Sequence, residues 1–399
     1  MRLYTQETEL ALIHIPLELY SNFIQPILQL LLQSDLQDTK ERNDDDTSRP
    51  PSSRDSTLPD LPFVNISVTP IEASIACPRH LANQLFSPIQ ATLPTPARCQ
   101  VSVTQDDYVV MQVDGEGLDA GQRVLELTSP LALAGISIFF ITTYFSDYIL
   151  VPVRARQQVI KALESRGFAF EENTSSYTTA STSTYSHRNT PSGSSFDLSN
   201  ISVPSLPRTP PPTTVSELQT RTFALLKRRN VVPHVDEAIK LVSCAGRKSS
   251  SGSQASNAAM SDRLHLAIVR ALISRPQFLS LTLTDTEPPS LLLEQRLLPL
   301  FSTAASSSTH SSDDSVLLGS KSETLVPIIL DLRDLPLEST GIVCGVAARL
   351  VGRTKMGLLD AVEMSYLSTA RAGTVMVAEG ELDRAMGALS GWDDDHKPN

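Results

Sequence analysis

Gly135 to Leu163 reads GISIFFITTYFSDYILVPVRARQQVIKAL, and Ala361 to Leu389 reads AVEMSYLSTARAGTVMVAEGELDRAMGAL. A shift of 226 lays one over the other without a gap. Thr143 then meets Thr369, Val151 meets Val377, and Ala162-Leu163 meets Ala388-Leu389. A shift of 215 lays FVNISVTPIEASIACPRHLANQLF (Phe63–Phe86) over FLSLTLTDTEPPSLLLEQRLLPLF (Phe278–Phe301), so that Thr69, Glu72, Leu85 and Phe86 meet Thr284, Glu287, Leu300 and Phe301. Two matched blocks in the same order argue for an internal duplication of half the chain. Chance likeness between β-rich segments is the alternative.

Outward from these blocks, the hydrophobic period alternates between two and about 3.6. Leu10–Glu18 reads as a strand, and Tyr20–Gln33 places Phe23, Ile27, Leu30 and Leu31 on one helical face. Phe63–Thr69 and Ala73–Cys77 read as a strand pair, Arg79–Phe86 as a short helix and Gln100–Thr104 as a closing strand. Tyr108–Val113, helix Gln122–Ala134, strands Ile136–Thr143 and Tyr148–Val153, helix Arg156–Arg166 and strand Phe168–Glu171 repeat that order. Strand-helix-strand-strand-helix-strand predicts an α+β fold of tandem ferredoxin-like (βαββαβ) units, four units in two duplicated lobes. The units expected are 1–104, 105–172, 215–325 and 326–392. Tracts 42–60, 173–214, 247–257 and 302–315 hold too few large apolar side chains to order themselves, and 393–399 is an acidic tail.

Composition narrows the function. The chain of 399 residues carries 33 Lys and Arg against 44 Asp and Glu, a formal net charge of −11. With no basic block to meet phosphates, nucleic acid is not expected as a partner. Cys77, Cys99, Cys244 and Cys344 are too scattered for a zinc or redox pair and suit a reducing cytoplasm. Glu7 and Glu9 near the start leave no basic region of a signal peptide. Leu131–Val151 approaches the length of a membrane span, yet its Gly135, Thr142-Thr143 and Asp147 suit two buried strands turning at Phe145-Ser146-Asp147. No membrane is expected.

Catalytic signatures are missing: the sequence has no nucleophile elbow, no zinc-protease motif and no phosphate-binding Walker loop. The seven histidines (His14, His80, His187, His234, His265, His310 and His396) lack metal-ligand spacing, so no metal and no cofactor are expected and the chain reads as a non-enzyme. The glycines of Val113-Asp114-Gly115-Glu116-Gly117-Leu118-Asp119-Ala120-Gly121 follow a strand and open a helix. Their spacing departs from the dinucleotide fingerprint, and three acids would repel a pyrophosphate. Such a loop can still offer helix N–H groups to a small carboxylate, or be a plain tight turn. Leu335–Val343 is its counterpart in the second half.

Tandem units of this kind with a carboxylate-accepting loop resemble ACT domains. More narrowly, Ser137-Ile-Phe-Phe-Ile-Thr-Thr-Tyr144-Phe-Ser-Asp147-Tyr-Ile-Leu-Val151 is similar to the S-x-x-x-x-S-T-Y-x-x-D-[FY]-x-L-V segment of the CASTOR family of cytosolic arginine sensors in the target-of-rapamycin growth pathway. Ser67-Val-Thr-Pro70, Thr340-Gly341-Ile342-Val343 and Leu367-Ser368-Thr369 resemble further segments of that family. The resemblance implies four ACT units, a small amino acid bound between the second and fourth, a homodimer, and a protein partner in nutrient signalling. It implies ligand contacts at Ser137, Ile138, Gly341, Ile342, Thr369 and Glu338, with Gly117, Asp147 and Thr340 as further candidates.

Two departures count against arginine as the ligand. The family's aspartate for the ligand ammonium falls on Gly373, and its loop glutamate on Ser339, one residue from Glu338. A buried cation without an acidic partner costs about a few kcal/mol. Two rival readings follow: a ligand-free ACT-type scaffold, and a regulatory subunit of an enzyme of amino-acid metabolism. Thr190-Pro191 and Arg208-Thr209-Pro210 read as phosphorylation sites or as plain solvated linker.

Overall fold

Which faces of each strand are apolar determines how the strands assemble, and here both faces are. In Asp147–Pro152 every residue is buried. Ile149 and Val151 pack into one cluster while Tyr148 and Leu150 pack into another. Tyr108–Val113 divides in the same way, with Val109, Met111 and Val113 on one side and Tyr108 and Val110 on the other. Strands buried on two faces lose the polar alternation of a solvated sheet and read as continuous apolar runs.

The computed structural model describes residues 2–32, 63–113, 119–172, 212–247, 254–302, 316–320, 322–351 and 362–390. The tracts expected to be disordered, the acidic tail and both threonine-proline sites fall outside these residues except at tract ends; contrary to expectation, Gln254–Asn257 belongs to a helix that runs on to Ile273. The first segment holds β1 (Arg2–Thr5), β2 (Leu10–Ile15), α1 (Tyr20–Leu31), β3 (Val64–Val68), β4 (Ala73–Pro78) and β5 (Ser102–Val103). Next come β6 (Tyr108–Val113), α2 (Ala120–Leu133), β7 (Phe139–Thr142), β8 (Asp147–Pro152), α3 (Arg156–Glu164) and β9 (Ala169–Glu172). After the central tract follow α4 (Val215–Arg228), β10 (His234–Val235), β11 (Leu241–Gly246), α5 (Gln254–Ile273), β12 (Leu279–Leu283), β13 (Ser290–Glu294) and β14 (Leu317–Leu318). The last segment is β15 (Leu325–Asp331), α6 (Ile342–Val351), β16 (Met364–Ser368), β17 (Ala372–Ala378) and α7 (Leu382–Ser390).

Twelve of these strands close into one antiparallel barrel. Around the ring the order is β2, β4, β3, β12, β13, β11, β15, β17, β16, β7, β8, β6 and back to β2. The long seam is β3 against β12, with Ile66 opposite Leu281; across the ring, Ile141 of β7 lies opposite Leu367 of β16. Those two facing pairs are also the pairs that shifts of 215 and 226 superpose.

This arrangement overturns the expected fold class of four separate ferredoxin-like units. An isolated four-stranded sheet leaves unpaired N–H and C=O groups along its edges, and pairing edge to edge satisfies them. The closing strand of the second unit is also not where a ferredoxin-like sheet needs it. β9 pairs in parallel with β1, and β1 in turn pairs with β6, so the N-terminal strand separates β9 from β6. β1 itself escapes a sequence reading because only Leu3 of its four residues is buried.

The packing likewise departs from two consecutive lobes. One outer core gathers Ile13, Phe23, Ile66 and Phe86 of the first segment with Ile268, Leu281 and Phe301 of the third. The other gathers Met111, Leu127 and Val151 of the second with Val346, Tyr366 and Val377 of the fourth. A third cluster, including Phe63, Tyr108, Phe139, Tyr148, Leu241 and Met376, fills the interior of the ring. There the Phe63 and Tyr148 rings lie 5.1 Å apart, and Phe139 meets Tyr108 edge-on at 5.6 Å.

Two carboxylates tie the hairpin turns together. Thr69 Oγ1 accepts from the Glu72 amide and Thr284 Oγ1 from the Glu287 amide, so the two aligned Thr-x-x-Glu turns are built alike. Glu72, fully buried, accepts from Thr369 Oγ1 at 2.7 Å and from the Arg371 amide at 2.5 Å, and meets His14 Nδ1 at 2.5 Å. Glu287 accepts from Tyr148 Oη at 2.9 Å, Gln112 Nε2 at 3.0 Å and Ser146 Oγ. Each glutamate thus satisfies polar groups of a hairpin from another segment.

Candidate functional site

A cavity of about 60 Å³ opens where the second and fourth segments meet. Its walls come from the end of α2 (Thr128, Ala132), the approach to β7 (Ile136, Ile138, Phe139), the loop into α6 (Leu332, Leu335–Leu337, Ser339, Gly341) and the β16–β17 turn (Tyr366, Ser368–Ala370, Ala372). Ile342, Val343 and Cys344 complete it.

The loop into α6 is held by a specific backbone geometry. Gly341 has φ +81, which an L side chain rarely adopts, and a Cβ there would lie 2.8 Å from Leu218 Cδ1 of α4. A Cβ at Gly345, one turn on, would lie 2.8 Å from Thr222 Cγ2. The two glycines therefore let α4 lie directly against the start of α6. The Gly345 amide donates to the Gly341 carbonyl at 2.8 Å, closing the first turn. The first N–H groups of a helix have no partner within it and carry a partial positive charge, so this end favours an anion.

Opposite the helix start, Ser368 Oγ accepts from the Phe140 amide at 2.9 Å, stitching β16 to β7. Thr369 is anchored from behind by Glu72. Tyr366, 1 % exposed, lines the cavity. Burial raises its pKa, so the phenol stays protonated. Its oxygen lies over Gly373, where a Cβ would be only 2.3 Å away. Cys344 is fully buried, and burial lifts its thiol to about 11.

The residues singled out from sequence separate into three groups. Ile138, Gly341, Ile342 and Thr369 converge on the cavity. Ser137 and Thr340 sit beside lining residues without lining it themselves, and both are half-buried. Glu338 and Asp147 lie elsewhere: Glu338 is 70 % exposed and pairs with Arg154 at 2.9 Å, whereas Asp147 is 1 % exposed and pairs with Arg123 at 2.9 Å. Burial raises the Asp147 carboxyl above its usual range and Arg123 works against that rise. Gly117 lies outside the described residues.

Sequence reasoning missed Tyr366. Its signal was available in the alternation of β16, which places Met364 and Tyr366 on the helix-facing side, and in the 226 shift that sets this tyrosine over Phe140. Among the described residues no cluster of three or more His, Cys, Asp or Glu could hold a metal ion, and no helix is long and apolar enough to cross a membrane.

Residues 103–165, from the approach to β6 through α3, match the ACT domain family and supply the α2 and β7 walls of the cavity. Among solved structures, the chain is similar to aspartate kinase from Synechocystis at 11 % identity, covering 100 % of this chain and 57 % of that one, with a TM-score of 0.30. The chain thus spans little more than half the length of that kinase. Protein Atu0741 from Agobacterium tumefaciens is 17 % identical over 44 % of this chain and 96 % of its own, with a TM-score of 0.27. No curated protein matches the chain.

Proposed function

We propose that this chain is a non-catalytic regulatory protein of ACT type that binds a small amino acid between its second and fourth segments and passes on the occupancy through protein contacts. The observation that carries this reading is the convergence of Ile138, Gly341, Ile342 and Thr369 on one cavity bounded by the ACT-matched segment and the start of α6. A ligand there would touch α2, α6 and the β16–β17 turn together, so binding would couple elements that belong to distant parts of the chain.

The narrower reading, a divergent relative of the arginine sensors that acts in target-of-rapamycin nutrient signalling as a cytoplasmic homodimer, rests on the Ser137–Val151 likeness. The duplication that this reading entails is supported by the facing pairs Ile66–Leu281 and Ile141–Leu367. A cytoplasmic setting is consistent with four free cysteines, three of them buried.

Thermal unfolding of the full chain against the twenty amino acids at millimolar concentration tests the proposal. A ligand specific to the native state stabilises by about 2.7 kcal/mol at a hundredfold excess over Kd. A shift with at least one amino acid supports it. No shift with any of them refutes it and leaves the scaffold reading, which the Tyr366 hydroxyl over Gly373 favours by reducing the space for a ligand.

A further inference from the structure

The β16–β17 turn lines two hollows. Thr369, Ala370 and Ala372 belong to the wall of the cavity described above. Arg371 instead lines an open cleft between the first and fourth segments, together with His14, Gln100, Ser102, Arg333 and Glu18. We infer that this cleft is an oxyanion-binding site, taking a carboxylate or a phosphate-like group on the Arg371 guanidinium and the His14 imidazole. It is separate from the amino-acid cavity and does not depend on that cavity being occupied.

Arg371 is fixed through its backbone while its side chain stays open. Its amide donates to the fully buried Glu72 at 2.5 Å and its carbonyl accepts from the Leu332 amide at 2.9 Å. The Thr369 amide closes the turn on the Ala372 carbonyl at 2.9 Å. The half-buried Arg371 guanidinium has no hydrogen bond or ion pair among the described residues. Arg333 differs, because Asp331 accepts from its Nε at 3.0 Å and its Nη2 at 2.6 Å. Those hydrogen bonds hold the Asp331 carboxyl below its usual range. Asp331 thus cancels the Arg333 charge and orients its plane, which leaves Arg371 as the guanidinium of the lining with no acid bound to it. Such a planar group offers paired N–H donors that match the oxygens of a carboxylate or phosphate.

His14 is oriented by an acid. Its Nδ1 meets Glu72 at 2.5 Å, and its side chain is 12 % exposed. Glu72 already accepts from Thr369 Oγ1 and the Arg371 amide, which assigns the Nδ1 proton to the histidine. Nε2, without a hydrogen bond among the described residues, donates when the ring takes up a second proton. An oxyanion in the cleft therefore draws a proton onto His14, so its affinity rises as pH falls through about 8 to 5, where histidine ordinarily changes charge. Ser102 lies directly opposite His14 in the β2–β5 ladder, which puts both side chains on one face of that pair. The charged and titratable groups that meet the ring or share its cleft are Glu72, Arg371, Arg333, Glu18 and Cys99. Of these Glu18, which is exposed, opposes an anion from the rim.

The test is calorimetric titration of the full chain with sodium sulfate and with sodium acetate at constant chloride, both anions keeping their charge between pH 6 and pH 8. Expected is saturable binding of at least one, sulfate alone marking a phosphate-like ligand and acetate alone a carboxylate. Arg371→Gln, which keeps the backbone bonds of the turn, weakens binding about ten- to a hundredfold, the worth of a hydrogen bond to a charged group. Glu18→Gln at the exposed rim tightens it, so the proposal stays testable if Arg371→Gln does not fold. Affinity for whichever anion binds is severalfold higher at pH 6 than at pH 8. No saturable binding of either anion, an Arg371→Gln variant that binds like the parent, a Glu18→Gln variant that binds no more tightly, or an affinity unchanged across that range overturns the assignment. Each of these results leaves the amino-acid reading standing.

Discussion

Gly373 and Tyr366 make a pair whose coupling can be worked out from the geometry. A Cβ at position 373 would lie 2.3 Å from the Tyr366 hydroxyl oxygen and 3.3 Å from its Cζ. The ring is fully enclosed and belongs to the outer core of the second and fourth segments, so it cannot swing away without disturbing Met364, Val375 and their neighbours. Gly373→Ala therefore overpacks the site, and forcing a methyl group into a filled core costs about 1–3 kcal/mol. Removing the hydroxyl first leaves the 3.3 Å contact, which a shift of a few tenths of an ångström relieves. Gly373→Ala in the Tyr366→Phe background should then cost under about 1 kcal/mol, a coupling of about 1–2 kcal/mol within the range for residues in contact. Urea denaturation of the four proteins of the cycle, followed by circular dichroism, measures it. Additive losses would refute the placement of the hydroxyl over Gly373.

Glu72→Ala would take the acceptor from the Arg371 amide, leave Thr369 Oγ1 with the Ala372 carbonyl alone and leave His14 facing a void, at an expected cost of about 3–5 kcal/mol in a urea titration; a loss under 1 kcal/mol would show that the turn re-pairs with water. Thr214→Ala removes the hydroxyl that accepts the Glu217 amide at the start of α4 and should cost about 0.5–2 kcal/mol. Asp147 has a folded-state pKa raised above its unfolded value. Its contribution to stability is therefore fully present below the ordinary carboxylate range and is lost as pH rises through the raised value. Urea midpoints between pH 3 and pH 8 should show that decline in the parent chain, and Asp147→Asn should flatten it; parallel curves for the two proteins would contradict it.

Local structure was legible in the sequence wherever the apolar period was strong. Tyr108–Val113 falls where the pattern put it, and the Leu131–Val151 stretch resolves into the end of α2 and the strands β7 and β8. The closed ring was not legible, because it depends on Val64–Val68 meeting Leu279–Leu283, a pairing that no local period encodes. The grouping of the cores was hidden for the same reason: Ile66 and Leu281 share a cluster through that seam and not through chain order. At the site, Ile138, Gly341, Ile342 and Thr369 were reached through a family motif, whereas Tyr366 stands within β16 as an ordinary apolar-face residue until its place in the cavity wall, over Gly373, is seen. Glu338 looked like a substitute for a missing acid by adjacency alone, and the chain turns it toward Arg154 instead.

The ring joins β3 to β12 and β7 to β16, partners more than two hundred residues apart in the chain. During synthesis the first half therefore leaves the ribosome with two bare strand edges and holds them open until the second half is made. Those edges are templates for any strand that arrives first, including one from a neighbouring nascent copy. Closure is a late event of high contact order, so this architecture ties the protein's solubility to the pace at which its own second half is translated.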